Sequence, residues 1–383
     1  MRTPSLITLA LGCALAASAA GPAARPASAA GEVTVPSGFV AEKIATVARA
    51  RELAVAPNGD LFVGTSTNAI YVVPDAEGSV GAAARFATFD DHPVASVLIA
   101  GDTLYAGGQF GVYRLPYRAG DRIARGTPEK IASVRTSGVA RDHVTTTLAL
   151  SKGVLYASVG SSCNACSPEL DATRATIQAM SPDGKDMHAR AVDIRNAIAL
   201  AVQPDTGDVW AGVAGRDELE HGHPYEIFDD VSAHPGTPDY GWLTCYDDRK
   251  PIQGGSCANV VVPRAVFPGY DTPIGAVFYP LDQRGKYAFP ASYRGGAFVA
   301  LHGSWHTPPV PPRVAFMPFR GAAPAKAVDW ANPDVQWTEF LGGCQNADGS
   351  RTCRPTGVAV GNDGSLFVSD DSTGAIYRIR PRR

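Results

Sequence analysis

The sequence predicts an all-β chain wound as a six-bladed β-propeller. Three observations carry that expectation: one strand-turn-strand pattern recurs along the chain, glycine and proline are abundant, and charge is sparse. Of 383 residues, 40 are Gly and 30 Pro, 45% are apolar and 19% charged. That balance suits many short buried strands joined by tight turns and is too apolar for a disordered chain.

The chain opens Met-Arg-Thr-Pro and runs apolar from Leu6 to about Ala20, followed by small residues and Pro. This is the layout of a secretion signal, and the apolar run is too short to span a bilayer. Ala-Ser-Ala occurs at Ala17 to Ala19 and at Ala27 to Ala29. The later site is favoured, giving a signal peptide at 1–29 and a single domain at 30–383. Cys13 reads less well as a lipoprotein cysteine, because the apolar run continues past it. Loss of Arg2 and Arg25 moves the formal charge from −3 to about −5, with no basic cluster left. That argues against nucleic acid as a partner. No further stretch reads as a membrane helix, so a periplasmic or secreted protein without stable membrane insertion is expected.

The repeat is read as LAVAPNGDLFVGT from Leu53, SVLIAGDTLYAGG from Ser96, TLALSKGVLYASVG from Thr147, LAVQPDTGDVWAGV from Leu200 and GVAVGNDGSLFVSD from Gly357. A weaker copy, YRGGAFVALHGSW, starts at Tyr293. Turns such as Asn58-Gly59 and Asp363-Gly364 pair residues that tolerate positive φ, the signature of a hairpin. Alternating runs such as Ile70 to Val73 and Ile376 to Ile379 predict a third strand in the first and last copies. A four-stranded blade needs roughly 40 to 50 residues, so six blades fit the chain. The segment from Gly38 to Val47 is predicted to close the ring against the last blade, removing its exposed edges.

After loss of the leader the cysteines fall into three close pairs: Cys163 with Cys166, Cys245 with Cys257, and Cys344 with Cys353. Local disulfides are the economical reading, since short separations close loops at small entropic cost. Cys163-Asn164-Ala165-Cys166 also fits a redox or metal pair, although no second CxxC completes a zinc set.

Ligands in propellers bind at the channel mouth, so polar residues beside the repeats are the candidates. Arg51, Arg141-Asp142-His143, Arg195-Asn196 and Arg351 to Arg354 precede inner strands and should converge at one end. His302-Gly303-Ser304-Trp305-His306 follows a strand of the fifth copy. Guanidinium forks with one imidazole suit a planar polyanion and a base, although strand-end capping explains any one of them alone. His221-Gly222-His223, with His234 nearby, reads as a solvated loop more readily than as a metal pair. Tyr240, Trp242 and Trp305 are candidates to stack on a sugar.

At these residues the sequence resembles the soluble pyrroloquinoline quinone (PQQ) sugar dehydrogenases, the glucose/sorbosone dehydrogenase family and its sorbosone-like branch. Five blocks carry the resemblance: DHVTTTLALSKGVLYASVGSSCNAC from Asp142, DIRNAIALAVQPDTGDVWAGVAGRDEL from Asp193, DYGWLTCYDD from Asp239, FPASYRGGAFVALHGSWH from Phe289 and RPTGVAVGNDGSLFVSDD from Arg354. It implies a six-bladed propeller carrying PQQ and calcium and oxidising a sugar. His143 matches the base, and Arg195, Asn196 and Arg354 match cofactor-binding residues. Arg51 and His302 are weaker cofactor matches, and calcium is implied at the carbonyls near Ala214 and Gly215. The electron acceptor, a quinone or cytochrome, is not indicated.

Three departures stand out. Ser161 replaces an aspartate that orients the base in the glucose branch, with Asp142 as a possible substitute. Only His302, Ser304 or His306 stands where that branch has a lysine. Ala214-Gly215-Arg216-Asp217 is not its Gly-Pro calcium turn. The alternatives are a six-bladed calcium-dependent lactonase and a non-enzymatic secreted propeller binding glycan or protein.

Overall fold

The computed structural model describes Met1 and residues 33–136, 142–217 and 219–383; both cleavage sites, Cys13 and Arg141 lie outside the described residues. The described regular structure is strand, apart from short 3-10 turns at Val231–Ala233 and Ala291–Tyr293.

Antiparallel strands join in chain order into four-stranded meanders. The first comprises Ala50–Val55, Leu61–Thr65, Ala69–Val73 and Ala84–Thr88, and the second Val94–Ala100, Thr103–Gly108, Gly111–Pro116 and Glu129–Ser133. A single bridge, Thr65 to Val94, links these two. The third comprises Leu148–Ser151, Val154–Val159, Thr176–Met180 and His188–Ala191, and the fourth Ala197–Val202, Val209–Val213, Glu226–Asp230 and Ala265–Phe267. The fifth comprises Pro273–Phe278, Ala297–Leu301, Arg313–Met317 and Thr338–Leu341. The last comprises Pro355–Val360, Leu366–Asp370 and Ala375–Pro381, and Phe39–Thr46 supplies its outer strand.

The turns fold as their residues dictate. Gly59 sits at φ +82° and Gly364 at +87°, a region that L side chains avoid, so these positions hold the hairpins tight. The fifth repeat differs from the sequence reading. Its first strand begins at Pro273, and residues 279–296 separate it from its partner, so no tight turn announces the hairpin.

The first strand of each meander lies beside that of the next, and Pro355–Val360 lies beside Ala50–Val55, so the row closes on itself. The apolar clusters lie between successive sheets, and the one around Phe289 joins three. Phe62, Ile70 and Phe86 meet Leu104 and Tyr113 between the first and second. Leu53 and Val63 meet Phe367 and Ile376 between the last and the first. The closing strand is held by Phe39, which sits edge-on to Phe289 at 4.7 Å and Phe340 at 5.2 Å. Emptying such a site to alanine typically costs about 3–5 kcal/mol. The three disulfides, Cys163–Cys166, Cys245–Cys257 and Cys344–Cys353, each close a local loop.

The inner strands surround an axial cavity of about 350 Å³, with Glu52, Ser96 and Thr147 in its wall. Glu52 Oε1 and Thr147 Oγ1 are buried without hydrogen-bond partners. Burial raises the Glu52 carboxyl from 4.5 to about 8, against the pull of Arg51. The unfolded chain therefore loses a proton near pH 4.5 that the folded chain keeps until about pH 8. Stability declines as pH rises through that window. Glu52→Gln is expected to match wild type near pH 4.5 and to exceed it above pH 8 by on the order of 5 kcal/mol. Chemical denaturation at both pH values checks this, and equal stabilities at the higher pH would refute it.

Candidate active site

The inner strands of the third, fourth and sixth meanders present their preceding residues at one end of the ring. His143, Arg195, Asn196, Ala214, Gly215 and Arg354 line a single cavity of about 220 Å³ there. Arg51 and His302 do not line it. Both are buried one layer behind, where Arg51 Nη1 lies 3.2 Å and His302 Nε2 3.1 Å from the Asp371 carboxylate. Arg354 Nε donates to the His302 carbonyl at 3.4 Å and ties that layer to the cavity.

His143 sits at φ +54°, a strained region for a residue with a side chain. Arg135 Nη2 holds that turn by donating to the carbonyls of His143 at 2.9 Å and Thr145 at 2.7 Å. The imidazole Nδ1 lies 3.0 Å from both the carbonyl oxygen and the hydroxyl of Ser161. A carbonyl only accepts, and the Ser161 hydroxyl already donates to the Cys163 carbonyl at 2.7 Å. The ring proton therefore sits on Nδ1, and Nε2 keeps its lone pair. Burial, reinforced by Arg195, lowers the His143 pKa to about 3. The ring is neutral at ordinary pH.

Ser161 thus meets Nδ1 with its backbone carbonyl as well as its hydroxyl. Asp142 does not substitute, since it is exposed and both Nδ1 partners belong to Ser161. Arg174 Nη1 steadies the same carbonyl at 3.0 Å. Gly160 is required by close approach: a Cβ there would lie 2.5 Å from both Asn196 Oδ1 and His143 Cβ.

Across the cavity, Arg195 Nη2 donates to the Asp217 carboxylate at 2.9 Å and Nη1 to the Ala214 carbonyl at 3.4 Å. Its Nε is buried without a partner. Glu226 is buried, and its carboxylate accepts from the N–H groups of Gly215 at 2.6 Å and Tyr270 at 2.9 Å. Burial raises it to about 7 even with those bonds and Arg195 opposing. The Gly215 N–H and the Ala214 carbonyl share one trans peptide, so the carbonyl points away from Glu226.

The remaining wall is Gly303 to His306 with Tyr270 and Thr272. Tyr270 stacks on His306 with centroids 3.6 Å apart, and Trp305 stacks on His306 at 4.3 Å while remaining 76% exposed. Tyr240 and Trp242 are buried structural groups: the Tyr240 hydroxyl donates to Asp229 and the Trp242 indole to the Asn164 carbonyl. His223 and His234 pair with different acids, Asp247 and Asp229.

The donor set fits a planar polyanion, because two guanidiniums, one with a buried unpartnered N–H, face a neutral imidazole and an amide. It is not a ready cation cage. Among the described residues no three His, Cys, Asp or Glu side chains converge as metal ligands. A cation here would rest on the Ala214 and Gly215 carbonyls and on oxygens of a bound ligand.

Sequence reasoning missed Arg135, Arg174, Asp217, Glu226 and Asp371. The two arginines act on backbone carbonyls, which no side-chain motif announces. The acids are separated in sequence from their partners.

Residues 235–382 match the family model described as TrAA12-like. The resemblance drawn from the five sequence blocks is borne out. The fold is shared with the PQQ domain of pyranose dehydrogenase from Coprinopsis cinerea in its holo form, at TM-score 0.77 and 18% identity over 91% of this chain and 97% of that one. A calcium structure of the AA12 carbohydrate-active enzyme of Trichoderma reesei superposes at TM-score 0.77 and 20% identity, covering 92% and 98%. The PQQ-bound aldose sugar dehydrogenase of Streptomyces coelicolor gives TM-score 0.61 and 17% identity, covering 91% and 100%. An uncharacterized Borreliella burgdorferi protein is 23% identical over 201 residues, 49% of this chain and 48% of its own length. The match thus spans about half of that curated relative. The TrAA12-like stretch contains Glu226's partner Tyr270, the Trp305 stack and Arg354, while His143 and Arg195 lie before it.

Proposed function

We propose that the protein is an exported, PQQ-dependent dehydrogenase of an aldose or sorbosone-like sugar aldehyde, with a signal peptide at 1–29 and a six-bladed propeller at 30–383. The meanders described above are the blades. One observation carries the catalytic reading: a neutral imidazole with a free Nε2 shares a cavity with Arg195, whose buried Nε lacks a partner.

His143 Nε2 accepts the proton of the substrate hydroxyl, and Nδ1–H, held by Ser161, steadies the imidazolium that forms. Arg195, Asn196 and Arg354 would hold PQQ. Arg51 and His302 support that set from behind through Asp371. When bound, PQQ would supply a two-electron acceptor, and a calcium held at the Ala214 and Gly215 carbonyls would raise its electrophilicity. Trp305 offers its exposed face to the sugar ring. The disulfides suit export, and among the described residues no helix is long and apolar enough to cross a membrane.

The test is to reconstitute the purified protein with PQQ and calcium and follow reduction of an electron-accepting dye with a panel of sugars and lactones. Sugar-dependent reduction that needs PQQ supports the proposal. Failure of PQQ to bind in an absorbance titration overturns it.

A further inference from the structure

The Cys163–Cys166 loop plays no part in the chemistry above, yet it touches both halves of the cavity wall. On one side the Cys163 carbonyl accepts the Ser161 hydroxyl at 2.7 Å, and Ser161 holds His143 Nδ1. On the other side Asn164 clasps the backbone of Asp217. The Asp217 N–H donates to Asn164 Oδ1 at 2.8 Å, and Asn164 Nδ2 donates to the Asp217 carbonyl at 3.1 Å. Asp217 in turn carries Arg195 at 2.9 Å. The loop is itself moored by the Trp242 indole on the Asn164 carbonyl at 2.9 Å, and Ser161 N–H donates to the Arg195 carbonyl at 2.7 Å.

A four-residue surface loop does not hold such a clasp unaided. Each ordered residue loses backbone freedom worth about as much as one hydrogen bond returns. The disulfide, closing a separation of three residues, removes much of that freedom before the clasp forms. Asn164 is then presented to Asp217 in one place.

We propose that the disulfide-closed Cys163–Cys166 loop is a positioning element that fixes His143 relative to Arg195, with Asn164 as its positioning residue, and that opening the disulfide loosens both halves together. This rests on reading the cavity as a quinone site. It assigns the CxxC motif a role as a brace, in place of metal binding or electron transfer.

The test compares wild type with Cys163→Ser/Cys166→Ser, Asn164→Ala and Asn164→Asp, the last keeping the acceptor for the Asp217 N–H. PQQ affinity is read by absorbance titration. The His143 tautomer is read in the apo protein from ring nitrogen shifts, assigned with His143→Gln. The double cysteine variant should bind PQQ about tenfold more weakly and lose its single Nδ1–H tautomer. Asn164→Ala should weaken PQQ about tenfold and keep the tautomer, with Asn164→Asp recovering part of the loss. Unchanged PQQ affinity and an unchanged tautomer in the double variant would overturn the inference. If that variant does not fold, unchanged PQQ affinity in Asn164→Ala overturns it instead. If wild type itself binds no PQQ, the quinone reading fails, and the apo tautomer still decides whether the loop positions His143.

Discussion

Replacing His143 with alanine is expected to lower turnover of the PQQ-reconstituted protein by about 10³-fold, the middle of the range for a general base. PQQ affinity should stay within a few-fold of wild type, because no cofactor-holding charge is removed. The expectation follows from the ring's state. Nδ1–H is committed to the Ser161 carbonyl at 3.0 Å, so Nε2 is the one proton acceptor the ring offers the cavity. The pH profile sharpens the test. Burial and Arg195 hold the imidazole pKa at about 3, so the base is competent throughout the range above it. The acid limb of kcat/KM should therefore not appear near 6.5, the usual histidine value, and should approach only as pH falls toward 3. A stopped-flow profile with an acid limb at 6.5, or His143→Ala turnover within threefold of wild type, would remove His143 from the chemistry.

The second large effect is expected on binding. Arg195→Leu should raise the PQQ dissociation constant on the order of 100-fold, the loss of a charge-assisted, forked contact. At saturating PQQ, kcat should fall far less, which separates this variant from His143→Ala. Arg195→Lys should recover little, since an ammonium cannot reproduce the planar fork that reaches Asp217 and the Ala214 carbonyl together. Isothermal titration with PQQ checks both variants. An Arg195→Leu affinity within threefold of wild type would show that the anion sits elsewhere.

The blades were legible because their turns obey local rules. Asn58-Gly59 and Asp363-Gly364 specify positive φ from two residues, with no need of the rest of the chain. The fifth repeat was legible only as a weaker copy because residues 279–296 interrupt its hairpin, leaving a strand without its turn. Convergence of His143, Arg195, Asn196 and Arg354 was legible because each precedes an inner strand, and a ring brings strand ends together. Arg51 also precedes one, yet Asp371, 320 residues away, draws it behind the cavity wall. No pattern in sequence encodes that pairing.

Ser161 is the instructive case. Compared by side chain it looks like a lost aspartate, yet the group that meets Nδ1 includes a backbone carbonyl, which every residue carries. Arg135 and Arg174 were invisible for the same reason. Their partners are carbonyl oxygens, and such contacts depend on the path of the chain and not on the letters along it.

The pairing of Phe39–Thr46 with Ala375–Pro381 bears on how the molecule is made. The outer strand of the last sheet leaves the ribosome long before the strand it pairs with. Until synthesis ends, a nascent chain displays an unpaired sheet edge and the unburied Phe39 ring, however well the intervening meanders have formed. Completion is thus a single late event spanning nearly the whole sequence, the slowest kind of contact to make.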